Sequence, residues 1–155
     1  MSIKVMIMRR LLYTLLALAL VLPVAAEDVE ITFDKLPEKA QKIVKKAYPD
    51  TKIKRVDMER RASLIQYEVK LAGGVKMQFT KEGNFSECVS EEGGVPSVLI
   101  PAKIRELLDK EFPGRLVKRI EHDNKLFELL LDNNYELSFN SSYRLIDIDR
   151  VVTQE

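Results

Sequence analysis

Two periodic patterns of apolar residues organise the chain after residue 35. At two places apolar residues recur three and four positions apart, which is the spacing of one buried face of a helix. The first stripe consists of Ala40, Ile43, Val44 and Ala47, and the second of Ile104, Leu107 and Leu108. A proline suits the first turn of each helix, and a later proline ends it, because the residue before proline avoids the α region. The pattern predicts two helices of about three turns.

Four runs of alternating apolar and polar residues follow each helix, and they predict eight strands with one face in the core. The runs are Lys52 to Glu59, Gln66 to Leu71, Val75 to Thr80, Phe85 to Val89, Leu116 to His122, Leu126 to Leu131, Tyr135 to Asn140 and Leu145 to Asp149. Gly73-Gly74 and Asn133-Asn134 separate the second and third strand of each set, and both pairs tolerate the positive φ of a tight hairpin. In the first strand of each set two apolar residues stand three apart, which predicts a β-bulge that curls the sheet.

The two sets of elements also match in sequence, which is typical of duplication. The aligned pairs, at an offset of 64 residues and then of 60 after a shorter turn, include Leu36-Pro37 with Ile100-Pro101, Tyr48-Pro49 with Phe112-Pro113, and Phe79 with Phe139. Residues 90–97 are rich in Gly, Ser and acid and predict a linker between a first copy at 27–89 and a second at 98–155. We therefore expect an α+β fold. It would be a tandem repeat of one helix plus a four-stranded antiparallel sheet, with the helices packed on one face of a curled sheet.

The N-terminal segment has the features of an export signal. Lys4, Arg9 and Arg10 precede an apolar run from Leu11 to Leu22, and small residues lead to a cleavage site after Ala26. A membrane anchor is the rival interpretation, but the run is shorter than the roughly 20 residues that span a bilayer. We expect residues 1–26 to be a signal peptide that is cleaved after Ala26. The protein is then periplasmic or secreted, without a membrane span after cleavage.

Composition narrows the class of protein. The 155 residues are 46% hydrophobic and contain 25 Lys+Arg against 24 Asp+Glu, so disorder and a polybasic nucleic-acid binder are excluded. Cys88 is the single cysteine, and it cannot form an intramolecular disulfide, although an intermolecular one remains open. The apolar core must therefore hold the domain together.

A resemblance to a known family rests on residues that determine the fold. They are Leu36-Pro37, Tyr48-Pro49, Tyr67-x-Val69-x-Leu71, Gly74, Phe79 and Gly83-Asn84-Phe85, and the unit returns between Ile100-Pro101 and Leu145. This unit resembles the PepSY-like family of bacterial periplasmic proteins, which is also described as beta-lactamase-inhibitor-like. The second copy departs from the pattern at Asn133-Asn134 and at Ser142-Tyr143-Arg144. The resemblance implies an α+β fold, export from a Gram-negative cell, and a binding or inhibitory role.

Catalytic motifs are missing from the sequence. It contains no G-x-S-x-G elbow, no phosphate-binding glycine loop, no H-E-x-x-H and no C-x-x-C, so we expect neither an enzyme nor a cofactor. We interpret His122 as a solvated turn residue and Cys88 as a half-buried structural thiol. Asp147 and Asp149 could bind calcium only with further oxygen ligands. The favoured interpretation of this pair is a charged edge strand that blocks unwanted strand pairing.

These observations favour a noncatalytic exported binding or inhibitor-like module. We expect it to recognise a protein or peptide in the periplasm through the open sheet face, and we expect no nucleic-acid partner. Alternation predicts that this face presents Glu68, Lys70, Lys76, Gln78, Glu128, Leu130, Glu136 and Ser138. Leu130 interrupts an otherwise polar surface and is a candidate contact residue. The alternative is a structural, envelope-associated protein without a discrete ligand.

Overall fold

Nine strands form one antiparallel sheet in which each strand pairs with the next along the chain. The computed structural model describes residues 27–61, 64–123 and 125–151, so the predicted signal peptide at 1–26 lies outside the described residues. The strands are β1 (Glu27–Glu30), β2 (Ile53–Arg61), β3 (Leu64–Leu71), β4 (Val75–Thr80), β5 (Phe85–Ser90), β6 (Val117–His122), β7 (Leu126–Leu131), β8 (Tyr135–Asn140) and β9 (Leu145–Arg150). β1 and β9 are the two edges of this sheet.

Two short helices lie where the apolar stripes predict them. Helix α1 (Glu38–Ala47) connects β1 to β2, and helix α2 (Ala102–Glu111) connects β5 to β6. A single 3-10 turn precedes each helix, at Phe33–Lys35 and at Ser97–Leu99. Each helix begins directly after a proline and ends two residues before the next one, as the sequence predicts. Among the residues that the structure describes, no helix has both the length and the apolar character required to cross a bilayer.

The expected fold class is wrong. The chain does not form a tandem repeat of a helix plus a separate four-stranded sheet, because all nine strands belong to a single sheet, and this sheet is neither curled nor closed. The two sets of strands join because β5 pairs directly with β6, where Cys88 opposes Ile120. Strand β1 adds a ninth member by pairing with β2. The molecule is therefore mostly sheet, with only two short helices in the described ranges.

The predicted bulges exist but do not curl the sheet. The register shifts between Ile53 and Arg55 in β2 and between Val117 and Arg119 in β6. Each shift lies close to the start of its strand, and regular pairing continues for the rest of the strand. The bulges therefore change which residues face the two sides without closing the ladder.

One face of the sheet and both helices share the core. Phe79 of β4 and Phe139 of β8 are fully buried in it. Ala40 and Val44 of α1 and Ile104 of α2 belong to the same cluster, so both helices cover the same face. Burial of this apolar surface is the main favourable term in folding. No helix from the described part of the chain covers the opposite face of the sheet.

Two further sequence expectations concern connections. Gly73 and Gly74 both have positive φ, as the sequence predicts, whereas in the second pair Asn134 does and Asn133 does not. Each connection has three residues, 72–74 and 132–134, rather than two. The division of the chain at residues 90–97 stays a prediction. Within this stretch Val95 is buried, and its N–H donates to the carbonyl oxygen of Val117 at 2.7 Å.

Candidate functional site on the open face of the sheet

The open face is the side of the sheet opposite helices α1 and α2, and the strand register places its side chains in rows. Residues that oppose each other in antiparallel strands lie on the same face, so each row crosses the strands nearly at right angles. The first row is Glu30, Asp57, Glu68, Gln78, Glu87, Glu121, Glu128, Ser138 and Asp147. The second row is Arg55, Lys70, Lys76, Val89, Arg119, Leu130, Glu136 and Asp149.

All eight side chains that the sequence assigns to this face lie in these two rows. They are Glu68, Lys70, Lys76, Gln78, Glu128, Leu130, Glu136 and Ser138. Their exposure is less uniform than expected, because the side chain of Glu68 is only 9% exposed while that of Lys70 is 45% exposed. Leu130 is half-buried. The row geometry brings the eight residues together, and their role in binding stays a prediction.

The charges on strands β1 to β4 form what we call the paired cluster: Glu30, Arg55, Asp57, Glu68, Lys70 and Lys76. The buried carboxylate of Asp57 accepts hydrogen bonds from Nε of Arg55 at 2.6 and 2.8 Å, and one from Nζ of Lys70 at 3.4 Å. Nζ of Lys70 also lies 2.8 Å from Glu68. The hydrogen bond to Glu68 raises the pKa of Lys70 above its ordinary value, so this ammonium stays charged. In this cluster every carboxylate lies within 4.0 Å of a cationic side chain.

The charges on strands β5 to β9 form the acidic cluster: Glu87, Arg119, Glu121, Glu128, Glu136, Asp147 and Asp149. Arg119 is the one cation of this group, and it faces carboxylates on three different strands. Its Nη2 lies 3.0 Å from Glu121 and 3.8 Å from Glu136, and its Nε lies 3.8 Å from Glu87. Buried Nε of Arg119 has no hydrogen-bond partner among the described residues. The guanidinium is therefore shared rather than held by one bidentate partner.

Carboxylates outnumber cations in the acidic cluster, and three of them have no ion pair. Within the described ranges, Glu128, Asp147 and Asp149 do not lie within 4.0 Å of a cationic group. Burial raises the pKa of Glu87, the charge of Arg119 opposes this increase, and the neighbouring Glu121 adds to it. This side of the open face therefore presents a negative potential that the protein does not itself neutralise.

Two apolar residues interrupt the charges at the middle of the second row. Val89 and Leu130 stand on either side of Arg119 in the register, and both are half-buried. A half-buried apolar centre within a charged rim is the composition of a protein recognition surface. Leu130 stays a predicted contact residue, and Val89 is a second apolar candidate beside it that sequence reasoning did not identify.

Sequence reasoning did not assign eight further charged residues to the open face. They are Glu30, Arg55, Asp57, Glu87, Arg119, Glu121, Asp147 and Asp149. The bulges in β2 and β6 break simple alternation, so the face of Arg55, Asp57, Arg119 and Glu121 could not be assigned by counting in twos. A usable signal was present in the duplication, because Arg55-x-Asp57 aligns with Arg119-x-Glu121 at the offset of 64 residues. Because the bulge and the pair of an arginine with an acidic residue occur in both copies, the aligned residues should lie on the same face of the sheet.

His122 is half-buried rather than fully solvated. Its ring stacks on Phe127 with centroids 3.9 Å apart and an interplanar angle of 7°. Burial lowers the pKa of His122, and the charge of Asp123 opposes that decrease. His122 and Asp123 line one end of a cleft of ≈ 610 Å³ that Lys39 of α1 borders on the other side.

Cys88 is fully buried, and burial raises the pKa of its thiol to about 11. The hydroxyl of Tyr48 lies 3.6 Å from its sulfur. This thiol is therefore more enclosed than the half-buried position that the sequence suggests. Asp147 and Asp149 lie exposed on the edge strand β9. In the part of the chain that the structure describes, no group of three or more His, Cys, Asp or Glu is arranged to hold a metal ion.

Comparison with known proteins gives a family and a shared fold. The family described as "Putative beta-lactamase-inhibitor-like, PepSY-like" matches residues 23–87 and again residues 65–147. A "putative calcium-regulated periplasmic protein" from Bacteroides thetaiotaomicron is 35% identical and similar in structure with a TM-score of 0.77, over 79% of this chain and 97% of that chain. A "putative periplasmic protein" from Bacteroides vulgatus is 30% identical with a TM-score of 0.76, over 80% of this chain and 98% of that chain. No curated protein matches the sequence.

Proposed function

Since the chain belongs to the PepSY-like family, we propose that it is a noncatalytic periplasmic module that binds a protein or peptide through the open face. The similar crystal structures are described as periplasmic proteins, which supports the same compartment for this chain. Residues 1–26 would direct the export of the chain and would be removed by cleavage after Ala26. Protein purified from the periplasm should then begin at Glu27, and its intact mass should lack residues 1–26. A mature species that retains Leu11 to Leu22 contradicts this part of the proposal.

The observation that carries the proposal is the charge imbalance of the acidic cluster around Val89 and Leu130. A folded protein gains little from holding Glu128, Asp147 and Asp149 on one face of the sheet without paired cations, because like charges repel. The arrangement becomes favourable when a partner supplies the positive charge. The chemistry that fits is a protein segment with Lys or Arg around an apolar side chain, which would contact Leu130.

Electrostatics also sets the expected behaviour of such a complex. Long-range attraction between the acidic cluster and a basic partner speeds association and is screened by salt. The buried apolar contact at the centre limits dissociation and is much less sensitive to salt. Binding should therefore weaken as salt increases, mainly through a slower association rate.

The direct test is capture from periplasmic extract with the tagged, processed protein as bait. We expect one stoichiometric partner for the unaltered chain and loss of that partner for the double variant Glu128→Lys with Leu130→Asp. Both positions are half-buried on the open face, and surface changes of this kind usually alter stability by about 0.5 kcal/mol or less. The matched control is Lys103→Glu on the exposed side of α2, which should capture the partner normally.

Three outcomes decide the proposal. Loss of capture by the folded double variant alone supports recognition by the open face. Equal capture by the double variant contradicts it, and the absence of any stoichiometric partner favours the structural, envelope-associated alternative. Repeating the capture with calcium and with a chelator tests whether the calcium regulation described for the similar Bacteroides protein extends to this chain.

A further inference from the structure

A strand-pairing unit built on an arginine occurs at the β1 edge of the sheet. Glu30 of β1 opposes Asp57 of β2, and Arg55 Nη1 lies 3.7 Å from Glu30. The next residue after β1, Ile31, donates its N–H to the carbonyl oxygen of Val56 at 2.9 Å. The acidic residue Glu30 and the apolar residue Ile31 thus pair with the segment Arg55-Val56-Asp57, which consists of an arginine, an apolar residue and an acidic residue.

The same unit occurs at the centre of the sheet, between β5 and β6. Glu87 opposes Glu121, Cys88 opposes Ile120, and Arg119 Nε lies 3.8 Å from Glu87. Cys88 and Ile120 are both fully buried. Here the acidic–apolar segment is Glu87-Cys88, and it pairs with the arginine, apolar and acidic residues of Arg119-Ile120-Glu121.

Strand β9 is a third acidic–apolar segment, but within residues 27–61, 64–123 and 125–151 no strand pairs with its outer edge. At the offset of 60 residues, Asp147-Ile148 aligns with Glu87-Cys88. Ile148 is 47% exposed where Cys88 is fully buried, and Ile146 is 55% exposed. In the described residues Asp147 has no ion pair, whereas Glu87 faces Arg119. β9 therefore has the acidic–apolar segment without the arginine-containing strand that accompanies it in the pairs β1–β2 and β5–β6 of the described residues.

The backbone of β9 is oriented to accept a further strand. The N–H of Val151 donates to the carbonyl oxygen of Asn134 on the β8 side at 2.9 Å. Hydrogen-bonded pairs alternate with non-bonded pairs in an antiparallel ladder, so the N–H and C=O of Ile148 point away from β8. The same reasoning, from the bond between Glu91 and Gly74, directs the backbone of Cys88 toward β6. The aligned residues thus point their backbone groups in the same sense.

A hollow lies on the helix side of β9, beside Ile148. It has a volume of ≈ 480 Å³, and Phe112, Pro113 and Tyr135 line it together with the polar side chains Glu111, Arg115 and Asn133. Phe112 aligns with Tyr48, which contacts Cys88 at the corresponding place in the first copy. There the space beside Cys88 is occupied by its register partner Ile120. An incoming strand would therefore place an apolar residue beside Ile148 and a basic residue on the other face, near Asp147.

We propose that the β9 edge binds an extended segment of a partner polypeptide as a tenth antiparallel strand. The segment has apolar residues toward the hollow and a Lys or Arg toward Asp147, as in Val117-Lys118-Arg119-Ile120-Glu121 of this chain. Addition of a strand to an exposed edge is an established mode of peptide recognition. A second copy of this chain is the weaker occupant, because its own strands of this pattern, β2 and β6, are already paired on both sides.

The test uses a synthetic peptide with the sequence Leu116–His122 and the isotope-labelled, processed protein. We expect amide shifts at Ile146, Ile148 and Arg150 and slower hydrogen exchange at the Ile148 amide. The matched peptide carrying Arg119→Glu should bind at least tenfold more weakly, because it places a carboxylate near Asp147. The protein variant Ile148→Lys should lose the peptide, whereas the open-face variant Leu130→Asp should retain it.

A tethered version removes the uncertainty of a weak peptide affinity. Fusing the same peptide to the C-terminus through a Gly/Ser linker raises its effective concentration to about millimolar. Failure to protect the Ile148 amide in this fusion contradicts the proposal, as does equal protection by the Arg119→Glu peptide. A concentration-dependent dimer that requires Ile148 would make a second copy the occupant and would also overturn it. The open-face proposal is tested by capture of a partner with the Leu130 variant, so failure of the peptide to bind at β9 does not contradict it.

Discussion

The two halves of the open face share one strand register but use their charges differently. In the paired cluster on β1 to β4, each carboxylate lies near Arg55, Lys70 or Lys76. In the acidic cluster on β5 to β9, Arg119 is the single cation facing several carboxylates. The first half neutralises its own surface, whereas the second half leaves a negative potential for another molecule to neutralise.

The fully buried positions on the helix side of β3, β4, β7 and β8 show no such divergence. Phe79 and Phe139 are aligned and both fully buried, and the same holds for Val69 and Leu129. Close packing in a protein interior makes a change of even one methylene group costly. On the open face, Lys70 aligns with Leu130, and no packing requirement fixes either residue. Aligned residues of the two halves are therefore similar in the core, where packing restricts them, and differ on the open face.

The largest effect should come from removing the two aligned phenylalanines one at a time. Phe79→Ala and Phe139→Ala should each lower the free energy of unfolding by about 3–5 kcal/mol, because each substitution removes a fully buried ring and leaves a cavity in its place. Urea unfolding of the two variants measures this directly. A severe loss for one and a neutral result for the other would show that the two cores are not equivalent.

A smaller effect should separate the two aligned carboxylates Asp57 and Glu121. Asp57→Asn should cost about 1–3 kcal/mol, because Arg55 and Lys70 lose the charge of a buried carboxylate. Glu121→Gln should cost less than about 1 kcal/mol, because that side chain is 46% exposed and its ion pair is solvated. Equal losses in urea unfolding would remove the distinction between a paired first half and an acidic second half.

The smallest expected effect is a pH dependence that belongs to the second half alone. Burial lowers the pKa of His122 below its ordinary value of 6.5, so the unfolded chain binds a proton more readily than the folded one. The free energy of unfolding should therefore decline as the pH falls through about 6.5. Met58 occupies the aligned position in the first half and does not titrate. Thermal unfolding of His122→Gln between about pH 7 and pH 5 should show a shallower decline than the unaltered chain, and identical slopes would contradict this assignment.

Much of the local structure follows from the sequence pattern. The predicted and observed bounds coincide for β4, β7 and β8, and the positive φ at Asn134 agrees with the turn that the sequence indicates. Period-two alternation also assigned the eight predicted side chains to one face of the sheet, where the register places them, while their role in binding stays a prediction. Such success is expected where one side of a strand is buried, because a slip of one residue would move every apolar side chain to the wrong face.

The parts that sequence reasoning missed are those that depend on neighbours rather than on periodicity. Alternation does not say which strand lies next to which, so it did not show that β5 pairs with β6 across a Gly-rich stretch and joins all the strands into a single sheet. Strand β1 is only four residues long and has no alternation of its own to reveal it. The site residues Arg55 and Arg119 were missed because a bulge precedes each of them.

The most direct test of the account exchanges the character of the two halves at aligned positions. Leu130→Lys with Glu136→Lys gives the second half the residues of the first, and Lys70→Leu with Lys76→Glu does the reverse. The captured periplasmic partner is then titrated against both variants, with urea unfolding as the check on folding. We predict that the first variant loses the partner and that the second retains it. Retention of the partner by a folded Leu130→Lys, Glu136→Lys protein would contradict recognition by the acidic half of the open face.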